Sequence, residues 1–133
     1  MTGTSDSTLR IRLYLPNGTI LGPGKADLLA LISETGSIAA AGRALGMSYR
    51  RAWGLVEAMN AMFREPVVES SRGGAGHGGA TVTAMGEHVL TLYRALESKA
   101  AQAAGTEIDH IEGLLAFPDS DTIRGRSDMS PKK

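Results

Sequence analysis

The sequence predicts a mainly α-helical domain carrying one small β-hairpin, and three features of the chain lead there. Residues 36–53, GSIAAAGRALGMSYRRAW, have the pattern of two short helices joined by a tight turn. Two β-prone runs separated by a glycine-rich stretch come after them. A long segment with helical apolar spacing then follows, from about Thr83 to Ala104.

Residues 9–15, LRIRLYL, alternate apolar side chains with basic or aromatic ones, which predicts an edge strand with Leu9, Ile11, Leu13 and Leu15 on one face. Pro16-Asn17-Gly18 turns the chain, and Gly22-Pro23-Gly24 forms a second loop. A helix is expected from about Lys25 to Thr35, burying Leu28, Leu29, Leu31 and Ile32. Pro23 suits its start, where a missing N–H leaves no helical hydrogen bond unmade.

Gly36 can close that helix in the left-handed conformation, and Ser37 can cap the next one, roughly Ile38 to Leu45. Ala40, Ala41 and Ala44 permit a close helix crossing, with Ile38 and Leu45 filling the angle. Gly46 allows a sharp turn, after which Ser48 caps a helix whose first turn holds Tyr49, Arg50 and Arg51. Tyr49, Ala52, Trp53, Val56, Met59 or Asn60, and Phe63 share its inward stripe, so the two arginines stay outside. This is the grammar of a helix-turn-helix, whose second helix presents such side chains to DNA.

Pro66 stops the helix, and PVVES (66–70) and ATVT (80–83) predict two strands around the loop 71–79. A hairpin in that place makes a wing, from which Arg72 and His77 can reach a phosphate or the minor groove. The predicted fold is therefore a winged helix-turn-helix. Thr83 caps the long helix, and Val89, Tyr93, Leu96 and Ala100 form a stripe that a small domain leaves for a partner subunit, which predicts a homodimer. Gly105 breaks this helix, and Thr106-Glu107-Ile108-Asp109 resembles a capping box that starts a short last helix with Ile108, Ile111, Leu114 and Leu115. The domain proper is thus 9–104, with a helical extension over 105–117; residues 1–8 and 118–133 are expected to be disordered.

Composition narrows the function without choosing it. The chain has 133 residues, 42% hydrophobic and 21% charged, which suits one soluble domain. With no cysteine there is neither a disulfide framework nor a thiolate zinc site, which fits a reducing compartment. No apolar run reaches the roughly 20 residues of a membrane span, so no membrane partner and a cytoplasmic location are expected. Fourteen basic residues balance fourteen acidic ones, but residues 1–83 hold 8 against 6 and residues 84–133 hold 6 against 8. Contact with phosphates must then be local, and dimerisation would double it.

Catalytic and cofactor chemistry finds little support. Gly74, Gly76 and Gly79 match a dinucleotide-binding spacing but lead into a strand, where no helix amino end could hold a pyrophosphate. Gly18 to Lys25 falls one residue out of step with a P-loop and puts Ala26 where a hydroxyl is needed. His77, His88 and His110 lack the close spacing of a zinc site. No catalytic residue, no cofactor and no metal is expected, and the protein is read as a non-enzyme.

The residues resemble one known family. TGSIAAAGRALGMSYRRAW, then VEAMN, then a glycine-rich wing and TVTAMGEHVLTLY, within Leu28–Leu96, look like the amino-terminal DNA-binding domain of molybdate-dependent ModE-type transcriptional regulators. A LysR-type winged helix is a more distant likeness. The Ser48–Trp53 run and Met59-Asn60 carry most of the resemblance. It implies a winged helix-turn-helix homodimer, joined largely through the long helix, on a palindromic operator. Those regulators continue into molybdate-binding β-barrels, which nothing in 113–133 is expected to form, so direct molybdate sensing is not carried over.

The sequence thus predicts a dimeric, sequence-specific regulator contacting DNA through Ser37, Ser48, Tyr49, Arg50, Arg51, Arg72 and His77. Control by a separate effector-binding protein, by another ligand, or by none stays open. So does a winged domain that binds protein instead of DNA.

Overall fold

A computed structural model describes residues 7–72 and 78–116. In chain order these form β1 (Leu13–Tyr14), β2 (Ile20–Leu21), α1 (Pro23–Thr35), α2 (Ile38–Ala44), α3 (Tyr49–Met62), β3 (Val68–Arg72), β4 (Gly78–Val82), α4 (Ala84–Ala103) and α5 (Gly105–Gly113). The architecture is mostly helical with two antiparallel strand pairs, β1–β2 and β3–β4, and is consistent with a small winged-helix-like domain. Two compact units are distinguished, Arg10–Glu97 and Met1–Leu9 with Ser98–Lys133.

The core of the Arg10–Glu97 unit is built around Leu28, Leu29 and Ile32 of α1, Val56 and Met59 of α3, and Tyr93 of α4, each at most 1% exposed. Expectation and structure agree on the inward residues of α1 except Leu31, which is only partly buried against the core. Pro23 stands in the first turn of α1, so the helix begins two residues earlier than Lys25. The strand expected over 9–15 is reduced to Leu13–Tyr14. Its partner, missed in the sequence, is β2: Leu13 faces Leu21 and Tyr14 faces Ile20 across a one-turn 3-10 helix at Pro16–Gly18. Asn17 and Gly18 both take positive φ there, 65° and 76°, which only glycine and a few short polar residues adopt readily. The near-P-loop stretch thus contains the short strand β2, and Lys25 Nζ donates to the Ile20 carbonyl at 2.8 Å rather than facing a phosphate cradle.

The α2–α3 crossing also differs in detail. Gly42, not Ala44, makes the closest approach: a Cβ there would sit 3.0 Å from the Ala52 Cβ, whereas Ala44 is exposed. β3 and β4 pair from Val68 opposite Val82 to Arg72 opposite Gly78; β3 lies two residues later than the expected 66–70, and β4 begins two residues before and ends one residue before the expected 80–83. Residues 66 and 67 are instead drawn into a corner between α3 and α4.

α4 starts where predicted, with the Gly86 N–H donating to Thr83 Oγ1 at 3.0 Å. The apolar stripe on this helix needs correction. Val89 and Tyr93 are 8% and 1% exposed within a single protomer, because the β1–β2 hairpin and Phe63 supply the cover that a second subunit was expected to give. Leu92 is the large apolar side chain of this helix left outside, at 56% exposure. Tyr93 donates its hydroxyl to the Ile11 carbonyl. Burial first, and the Glu97 carboxylate second, push its pKa above the ordinary 10.0. Arg94 joins α4 to α1 through Asp27 at 3.0 Å and also meets Glu97 at 3.0 Å.

In the other unit, α5 begins at Gly105 with Ala104 at its cap position and no side-chain capping bond, so the predicted Thr106 capping box is not formed. Thr106 falls inside the helix, two residues past the cap position. Ile111, Leu114 and Leu115 are exposed, and Ser7 donates its hydroxyl to the Glu112 carboxylate. The expectations for 1–6 and 117–133 lie outside the described residues.

Two outcomes follow from this packing. A methyl group at Gly86 would meet the Val67 carbonyl oxygen at 2.3 Å and Val82 Cγ1 at 2.7 Å; Gly86→Ala should therefore lower the free energy of unfolding by about 2 kcal/mol in urea titration, despite alanine's better helix propensity. Tyr93→Phe should be less stable near neutrality by about 1 kcal/mol, the loss of one hydroxyl bond to a carbonyl. Because the folded pKa is raised, the tyrosine's contribution is intact below 10 and is lost as pH climbs through the folded value. The gap between the two proteins should accordingly narrow in alkaline unfolding series.

Candidate nucleic-acid interface

The site is built from the three-helix run α1–α2–α3. Gly36 ends α1 with φ 72° and donates its N–H to the Ile32 carbonyl at 2.8 Å. Ser37 caps α2, accepting from the Ala40 N–H at 3.0 Å. Thr35 Oγ1 holds this junction by accepting from the Ser37 N–H at 3.2 Å and donating to the Leu31 carbonyl at 2.8 Å. The second junction repeats the device. Gly46 turns the chain with φ 73°, and Ser48 Oγ accepts from the Arg51 N–H at 3.0 Å. Each serine cap is worth about 1 kcal/mol, enough to fix where a helix of this length begins.

The consequence for α3 is a sharp division of faces. Ala52, Val56 and Met59 are at most 1% exposed, whereas Tyr49, Arg50, Arg51, Gly54, Glu57 and Ala58 are exposed. Tyr49 was expected both on the inward stripe and in contact with DNA; at 56% exposure it belongs to the outer surface. Trp53 is half-buried beneath it, with the rings edge-to-face at a centroid distance of 6.3 Å, and donates its indole N–H to the Tyr49 hydroxyl. That contact restrains a large aromatic beside two cations. Neither Arg50 nor Arg51 forms an ion pair among the described residues. Ser37, at the start of α2, is half-buried, and Ser48 is exposed.

Arg72 lies at the end of β3, opposite Gly78. His77 and the glycine-rich residues 73–76 lie outside the described residues. The structure therefore brings Ser48, Tyr49, Arg50 and Arg51 onto one helical turn, with Ser37 at the start of the preceding helix. Asn60 is the residue whose part in this site the sequence did not reveal. From α3 its carboxamide holds the backbone entering β3 through three hydrogen bonds, to Val67 and Val68. The signal available was a polar residue sharing an apolar stripe with Val56 and Met59. Among the described residues no group of three or more His, Asp or Glu side chains is placed to hold a metal ion, and no helix is long and apolar enough to cross a membrane.

Comparison with known proteins puts this geometry in context. The chain is 38% identical over 110 residues to the molybdenum-pterin-binding protein MopB of Rhodobacter capsulatus, covering 83% of this chain and 39% of that protein. It is 35% identical over 109 residues to the transcriptional regulator ModE of Yersinia pestis, covering 80% of this chain and 41% of the regulator. These similarities support the ModE-like family. Similarity to a ModE-like protein extends to the DNA-binding transcriptional dual regulator ModE of Escherichia coli (strain K12), 34% identical over 83 residues, 62% of this chain and 32% of that one. The chain spans about two fifths of the length of MopB and of the Yersinia pestis regulator. No family model matches it. The relatives are named as transcriptional regulators, molybdenum-pterin-binding proteins or, in Azotobacter vinelandii, a molybdenum transport protein.

Proposed function

We propose that this chain is the DNA-binding part of a transcriptional regulator, acting as a helix-turn-helix with a wing and engaging a palindromic operator as a homodimer. The observation that carries the reading is the first turn of α3: a serine-capped helix, anchored through Ala52, Val56 and Met59, that exposes Tyr49, Arg50 and Arg51 without a carboxylate partner among the described residues. A helix held in this way delivers guanidinium groups to a duplex at small entropic loss, since its backbone is already ordered. One of the two arginines reads a guanine by a bidentate contact, worth about 1–3 kcal/mol in discrimination. The other, with the Ser37 and Ser48 positions, meets phosphate. Arg72 and His77 act from the wing, alongside the groove occupied by α3.

The net charge of zero fits a local contact of this kind better than a broad basic surface. Self-association is proposed through the outer side of α4, where exposed Leu92 borders an apolar groove of about 200 Å³ lined also by Leu13, Leu21, Phe63, Leu96 and the nearly enclosed Val89 and Tyr93. Leu92 rather than Val89 or Tyr93 supplies the exposed part of the contact, with those two nearly enclosed beneath it; Leu96 also lines the groove, and Ala100 lies further along the same helix. Molybdenum is named for several relatives. For this chain, molybdate is the first ligand to vary, and a separate effector-binding protein is the second.

Selection of bound duplexes from a random pool, with and without molybdate, should return a palindromic sequence. On that sequence Arg50→Ala and Arg51→Ala should keep the parent's thermal unfolding. One should relax base preference and the other reduce the salt dependence of binding by about one unit. If both bind the selected duplex like the parent, the assignment of α3 is wrong. Sedimentation should find a dimer at micromolar concentration that Leu92→Glu dissociates; a monomeric parent would remove the dimer from the proposal.

A further inference from the structure

Asn60 lies in the last turn of α3, half-buried next to fully buried Met59. Its Oδ1 accepts from the Val67 N–H at 2.8 Å and the Val68 N–H at 3.1 Å, and its Nδ2 donates to the Val68 carbonyl at 3.1 Å. One side chain thus offers the donor and acceptors that a neighbouring strand would otherwise supply. Val67 and Val68 are 0% and 3% exposed, so water does not replace these bonds. The same corner is gripped from α4's side, where the Thr83 N–H donates to the Val67 carbonyl at 2.9 Å and Thr83 Oγ1 donates to the Pro66 carbonyl at 2.7 Å. β4 is tied in turn to the α1–α2 junction by the Ala80 N–H, which donates to the Gly36 carbonyl at 2.9 Å.

We infer that Asn60 is a positioning residue, setting the direction in which the β3–β4 hairpin leaves the domain relative to the helix that bears Arg50 and Arg51. Its consequence for affinity rests on the DNA-binding reading above; the clip itself does not. Two contact regions on one duplex reinforce each other only when their separation is held in advance, since a loose arm must be ordered on binding. Within α3, Asn60 is the residue that reaches the hairpin by side-chain hydrogen bonds, and those bonds require acceptor and donor together. An ionised carboxylate in its place could accept from both N–H groups but would turn a second oxygen against the Val68 carbonyl. Protonated, it could donate there and restore the set.

The test is Asn60→Asp in the full chain, read by amide hydrogen exchange without DNA and by affinity for the selected duplex. Near pH 8 the Val68 and Ala80 amides should exchange about tenfold faster than in the parent, after correction for intrinsic rates, while Leu29 and Val56 stay unchanged. Near pH 4 that excess should shrink to about threefold or less as the carboxyl protonates, and affinity should recover in parallel. The parent keeps Glu57, Arg64, Glu65, Glu69 and Glu87 and so controls for every other ionisation. Asn60→Ser, which cannot ionise, should loosen the same two amides equally at both pH values, and it carries the test if the aspartate variant does not fold. Acceleration of Leu29 and Val56 together with the hairpin, or an unchanged hairpin, overturns the inference. Selective hairpin loosening in a protein that selects no duplex upholds the clip and instead removes the DNA-binding reading.

Discussion

The structure depends on how the chain satisfies its backbone at two turns. A helix end leaves N–H and carbonyl groups without partners, and α1, α2 and α3 meet end to end with only a few residues between them. Left-handed glycines at 36 and 46 and serine caps at 37 and 48 satisfy those groups locally. Because α3 needs nothing from its neighbours at its amino end, that end is free to face solvent. The opposite requirement holds at its middle, where Gly42 leaves room for Ala52 and the helix settles against α2. Exposure at one turn and burial at the next come from the same sequence device.

Much of this was legible because it is local. Caps, left-handed glycines and the amphipathic period are properties of a few consecutive residues, so α1 to α4 fall close to where their sequences put them. The β2 strand was not legible, since two residues at Ile20–Leu21 become a strand only by meeting Leu13 and Tyr14. The same hairpin explains the misreading of Val89 and Tyr93. Helical periodicity reports that a face is covered, not by what, and here the cover comes from the chain's own amino-terminal segment. At α5 the local rule misled: Thr106-Glu107-Ile108-Asp109 has a capping-box pattern, but the helix takes Ala104 as its first boundary.

The candidate site divides along the same line. Ser48, Tyr49, Arg50 and Arg51 could be grouped from the sequence because one helical turn holds them all. The tie between α3 and the hairpin could not, as Asn60 meets residues seven and eight positions onward through a bend that no pattern specifies. The comparisons add breadth rather than detail. About a hundred residues of this chain align with regulators and with molybdenum-pterin-binding proteins alike, and those residues include both the capped helices and the hairpin.

A two-stranded ribbon has two outer rims, and on most proteins such rims invite a stray strand to add on. Here each rim is already occupied at one place by something that is not a strand: midway along β4 the Gly36 carbonyl takes the Ala80 N–H, and at the start of β3 the Asn60 carboxamide takes the Val67 and Val68 backbone. Neither occupant can propagate a ladder, so an added strand finds those edge positions already taken. The glycine that stops a helix therefore also occupies an edge position of the ribbon.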